Sequence, residues 1–144
     1  MAARFAADSP ANRDSIAAAE RLRAHATGLA GADVAAYERY VETRRLHGKQ
    51  SPQTIEALDG AVDVPMQVTD AAAEVATLAA TLAKDGNPRL RGDAATGCWL
   101  AAAAASAAAV LVEENLAGIP DDGRVAAARA SAQRALAAAA GLDG

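Results

Sequence analysis

Cysteine, aromatic side chains and β-branched residues are all scarce in this chain of 144 residues, which has one Cys, one Trp, one Phe and two Tyr. The lone thiol, Cys98, has no partner for an internal disulfide, and the scattered His25 and His47 make no metal-ligand pattern. A reducing, cytoplasmic setting and no metal cofactor are expected. With aromatics at 3%, the residues that strands favour are missing, which argues against a sandwich, a barrel or a parallel sheet. Basic excess is missing too: Lys+Arg 14 against Asp+Glu 18 gives a net charge of −4, so no nucleic-acid partner is expected. No glycine run is placed to cradle a phosphate. The amino terminus, MAARFAADSP, lacks the apolar stretch of a signal peptide. The run from Cys98 to Val112 is mostly alanine and ends at Glu113 and Glu114, too short and too weakly apolar to span a bilayer, so no membrane partner is expected.

What is abundant is alanine, at 44 positions. Alanine has the best helix propensity and no side-chain entropy to lose, so a single all-α domain over residues 1–144, a bundle of long alanine-rich helices, is expected. Met1 to Ala7 reads as the last turns of a helix, broken by Asp8-Ser9-Pro10. A second segment from Arg13 to Leu46 carries Ile16, Ala19, Leu22, Ala26, Leu29, Ala30, Asp33, Tyr37, Tyr40 and Val41 at spacings of three and four. Gly28 and Gly31 in its middle suggest a close helix approach or a bend. Ser51-Pro52 opens a third segment as N-cap and first-turn proline, Pro65 puts a kink in it, and Gly86 with Asn87-Pro88 ends it. Asp93 is the expected N-cap of a fourth segment, to about Leu116, closed by Gly118. The last, Arg124 to Ala140, has only Val125 and Leu136 as large apolar residues and is expected at the periphery. A core of such small knobs buries little area per residue, so the bundle is expected to be completed as a homodimer.

Read in order, four motifs resemble the cyclodeaminase/cyclohydrolase family, the C-terminal domain type of formiminotransferase-cyclodeaminase. They are Asp33-Val34-Ala35-Ala36-Tyr37, Ala61-Val62-Asp63-Val64-Pro65-Met66, Gly86-Asn87 with Asp93-Ala94 six residues after the asparagine, and Glu114-Asn115-Leu116. The resemblance extends from about Met1 to Ile119. It implies an all-helical dimerising domain acting on a tetrahydrofolate derivative, with neither a metal nor a redox cofactor. Two reactions occur in such proteins: 5-formiminotetrahydrofolate cyclises with loss of ammonia to 5,10-methenyltetrahydrofolate, or water opens the methenyl ring to 10-formyltetrahydrofolate. The chain departs from the family in lacking the Pro-Gly-Gly-Gly-Ser-like loop and most of the first helix, whose end MAARFA resembles, and in having Leu111 where many members have asparagine. The alternative is a non-catalytic helical dimerisation module, a paralogue that has lost catalysis.

Three residues are catalytic candidates. Asp33 and Tyr37 stand one turn apart on one helix face, where the phenol could donate to the carboxylate. Cyclisation needs a proton taken from the attacking nitrogen and one given to the leaving nitrogen, which a partly buried carboxylate can do; a structural Asp–Tyr hydrogen bond between helices is the alternative. Asp93 either caps its helix, reads a pterin edge, or both. For ligand binding the candidates are Asn87, equally a turn residue before Pro88; Asn115, equally a helix-end cap before Gly118; and Arg89 and Arg91, whose guanidinium groups suit the carboxylates of a folate glutamate tail but equally suit a solvated loop. Cys98 and Trp99 are expected in the core.

Overall fold

The computed structural model describes residues 10–119 and 121–142. It contains α1 (Pro10–His47), α2 (Pro52–Asp85), α3 (Arg91–Asn115) and α4 (Gly123–Ala140), with a single 3-10 turn at Pro88–Leu90 leading into α3. No strand occurs among the described residues. The expected fragment Met1–Ala7 and its break at Asp8-Ser9 lie outside them.

Local chemistry fixes the joints. At the α1–α2 turn Gly48 takes φ +82, where a side chain would be strained. Ser51 then caps α2, its Oγ accepting from the Thr54 amide at 3.1 Å, while the buried Thr54 Oγ1 donates to the Gly48 carbonyl at 2.9 Å. Gly118, at φ +89, lies just beyond the end of α3. At Gly86 a Cβ would collide with the Leu82 carbonyl oxygen, so the α2 exit requires glycine.

Helix α2 is the spine, packing against α1, α3 and α4, and α3 packs in turn on α4. The core between them is almost all alanine: Ala73, Ala76 and Ala80 of α2 meet Ala101, Ala102, Ala105 and Ala109 of α3 and Ala128, Ala132, Ala135 and Ala139 of α4. Val62, Cys98 and Val112 are its largest fully buried apolar side chains besides Pro65. Such small knobs let helix axes approach closely and give a dense core of modest apolar area.

Four expectations change. Helix α4 is not peripheral: its alanines at 128, 132, 135 and 139 form a continuous packed stripe. The outlying helix is α1, where Leu29 is the only buried side chain among those described. Gly28 and Gly31 admit no close approach, since a Cβ at either would meet nothing within 4 Å. Cys98 is in the core, but Trp99 is 44% exposed, because adjacent helix positions point about 100° apart. Finally, the run from Cys98 to Val112 belongs to a longer helical stretch, Pro88–Asn115, which is long and apolar enough by composition to cross a membrane. One face of it nevertheless packs into the bundle, as in the core helix of a globular domain.

Candidate functional site

The residues singled out by sequence fall at two ends of the bundle. The Arg39–Glu56 pair, at 3.1 Å, and the groove shared by Leu29 and Val68 show α1 running antiparallel to α2. Asp33 and Tyr37 therefore lie opposite the α2 segment that contains Ala61–Met66. Asp33 is half-buried and Tyr37 is 55% exposed. The two do not bond to each other, so the expected Asp–Tyr hydrogen bond is absent.

At the same end the last residue of α3, Asn115, reaches α2: its Nδ2 donates to the Ala61 carbonyl at 2.8 Å. This is a different role from the expected helix-end cap. A short step along α2, Asp59 and Asp63 face Arg124 of α4, at 3.0 and 3.6 Å. Arg124 is also held by Asp122 at 2.7 Å, and Asp122 caps α4 by accepting from the Arg124 amide. The guanidinium and amide hydrogen bonds of Arg124 hold the Asp122 carboxyl down to about 2. Arg124 is pushed up in turn, first by its hydrogen bond to Asp122.

The other end is built by the exit of α2, the 3-10 turn and the start of α3. Asn87 is the N-cap of that turn, its Oδ1 accepting from the Arg89 amide at 3.0 Å. Asp93 is not the N-cap of α3: the helix begins two residues earlier, at Arg91, with Leu90 in the capping position and no side chain bonding there. The proline-led 3-10 turn runs straight into the helix and displaces the start. Asp93 sits exposed in the first turn, where its charge suits the helix dipole. Arg89 and Arg91 are both exposed. Arg91 lines a cleft of about 380 Å³ with Lys84, Gly86 and Gly141. Sequence reasoning missed Lys84, although a base in the last turn of a helix, two residues before a terminating glycine, is a visible signal.

From Ala61 to Lys84 α2 advances 23 residues, so the two ends are about 35 Å apart. Within one chain Asp33, Tyr37 and Asn115 thus share one end, while Asn87, Arg89, Arg91 and Asp93 share the other. Between them α3 shows an uncovered apolar stripe of Leu100, Ala104, Ala107 and Leu111, bounded by Asp93 and Glu114. Ala104 also borders an apolar groove of about 220 Å³ that runs between α1 and α3 over Val68 and Val75. The described residues include no group of three His, Cys, Asp or Glu able to hold a metal ion.

The architecture defines an all-α, alanine-cored bundle with polar ends and an open apolar stripe on α3. The formiminotransferase-cyclodeaminase profile matches residues 3–134, and the chain belongs to that family. Among curated proteins, none is similar enough to count as a match.

Proposed function

We propose that the chain handles one-carbon units on a tetrahydrofolate derivative, as a formiminotetrahydrofolate cyclodeaminase or a methenyltetrahydrofolate cyclohydrolase, with no metal. Family membership over residues 3–134 is the observation that carries this reading. In the first reaction N10 of the folate attacks the formimino carbon. A proton leaves N10 and another reaches the departing nitrogen, which goes as ammonia. In the second, water adds to the methenyl carbon and the bond to N5 opens. Asp33 is the proton-transfer group we assign, with Tyr37 beside it to orient the pterin. Asp93 serves as the carboxylate that reads the pterin edge, Asn87 shapes the loop that borders it, and Arg89 and Arg91, joined by Lys84, meet the glutamate carboxylates.

These groups are too far apart in one chain to act on one folate. Pairing two copies across the α3 stripe about a two-fold axis perpendicular to that helix would run the bundles antiparallel and bring the Asp93 end of one beside the Asp33 end of its partner. The protein is therefore read as a cytoplasmic homodimer with a site shared between copies. The test is loss of methenyltetrahydrofolate absorbance above the buffer rate, together with ammonia release from the formimino substrate. Activity that falls at least 100-fold in D33N supports the reading. Silence with both substrates in a folded dimer would refute it and favour the non-catalytic dimerisation module, which needs only the apolar stripe.

A further inference from the structure

The middle of the α2–α3 interface is made of alanine, with the larger Val62, Val112 and Leu116 at one end of it, and a run of uniform small knobs specifies register poorly. Along that middle stretch, sliding α3 by one turn, about 5.4 Å, would set alanine against alanine again. Among the described residues two polar contacts cross this interface. One is the Cys98 thiol on the Ala76 carbonyl at 3.2 Å, a weak bond. The other is the Asn115 amide on the Ala61 carbonyl at 2.8 Å.

Ala61 is four residues before Pro65, and proline has no N–H. The Ala61 carbonyl is therefore the one acceptor in this part of α2 that its own helix leaves unserved. Ala61 is only 3% exposed, so water is a poor substitute. Asn115 supplies the missing donor from 54 residues away in sequence. Elsewhere on these helices the hydroxyls of Thr69, Thr77, Thr81 and Ser106 bond within their own helix, as Thr69 does to the Pro65 carbonyl at 2.9 Å and Ser106 to that of Ala102 at 2.9 Å.

We infer that Asn115 is a positioning residue: through the carbonyl that Pro65 leaves open, its amide fixes the register of α3 on α2. The Ala61–Met66 turn also carries Asp63, tied to Arg124 of α4, and it faces the Asp33 segment of α1. One hydrogen bond thus sets where the end of α3 stands relative to three other helices. A single buried asparagine fixes register in coiled coils in the same way, against a background of interchangeable apolar contacts. The positioning of Asp33 rests on the function proposed above; the hydrogen bond and its coupling to Pro65 do not.

The test is a double-mutant cycle read by thermal unfolding of the whole chain. N115A strands a buried carbonyl, and Tm should fall by roughly 4 to 8 °C. In the P65A background residue 65 regains its N–H and serves Ala61 within the helix, so adding N115A should lower Tm by under about 2 °C. Equal falls in both backgrounds would overturn the inference. N115D gives a second reading that a steric role would not move. Its ionised carboxylate faces the carbonyl oxygen and repels it, whereas the protonated form donates an O–H. The new carboxyl's folded pKa is thereby raised, so the stability it adds is full in acid and lost as pH rises through that value. The Tm of N115D should therefore recover toward wild type below about pH 4, while N115A keeps its deficit at every pH; parallel curves would contradict the hydrogen bond. If the chain turns over folate, N115D should also regain kcat in acid relative to N115A. An inactive wild type would remove only that last arm and leave the cycle decisive.

Discussion

Leu100 is the most exposed large apolar side chain among the described residues, 67% open at the start of the α3 stripe, and substituting it should perturb the proposed association without touching the core. Full burial of a leucine contributes about 1.5 to 3 kcal/mol, so covering the remaining two-thirds contributes roughly 1 to 2 kcal/mol in each copy. Two-fold symmetry counts the residue twice, which makes about 2 to 4 kcal/mol for the pair. Alanine retains part of this, so L100A should weaken the dimer by tens- to a few hundred-fold, and L100E, which would bury two like charges, should leave monomer. Because Leu100 supports little inside its own chain, the unfolding free energy of the isolated monomer should change by less than about 0.5 kcal/mol. Sedimentation velocity over a dilution series separates the two effects. A monomeric wild type, or an L100E variant that dimerises as tightly as wild type, would refute the assignment of this face to a second copy.

The proposed antiparallel pairing would also set Asp93 near Glu114 of the opposite copy, like charges at both rims, so the dimer should tighten as salt rises from about 0.01 to 0.5 M, opposite to an interface held by ion pairs. Asp122 is held down to about 2 by Arg124, so its contribution to stability is present above the ordinary carboxylate range and is lost as pH falls through about 2. Its carboxyl carbon, followed by NMR, should titrate there in wild type and return toward 4 in R124M. Ala102 is fully buried in the core between α2 and α3, so A102L should overpack that contact and lower stability by about 1 to 3 kcal/mol or more, read by denaturant titration.

Much of the fold was legible because its signals are local. The Ser51-Pro52 cap, the stop at Gly86 and the closure at Gly118 each depend on backbone chemistry that a few neighbouring residues determine. Packing was harder to read, because weighing helices by their large apolar residues fails in an alanine core. The stripe Ala128, Ala132, Ala135 and Ala139 had the right spacing, yet Val125 and Leu136 drew attention and Leu136 proved 44% exposed. Conversely, the spacing pattern of α1 suggested burial, but little of that face finds a partner. The start of α3 was misplaced at Asp93 because Pro88 nucleates a 3-10 turn that enters the helix early. Asn115 on Ala61 was out of reach of any local rule; the clue was Pro65, which announces an unserved carbonyl without saying what serves it. Asp33 and Asp93 look like neighbours when the sequence is read as one site, and only the length of α2 separates them.

The most direct test of a site shared between copies is complementation between D33N and D93N. Each variant alone removes one half of every site. Mixed in equal amounts and allowed to exchange subunits, half of the dimers carry one of each, and in those one of the two sites has both aspartates intact. Methenyltetrahydrofolate turnover should then return to about a quarter of the wild-type rate. A mixture as inactive as either variant alone, in dimers shown to have exchanged, would contradict the account.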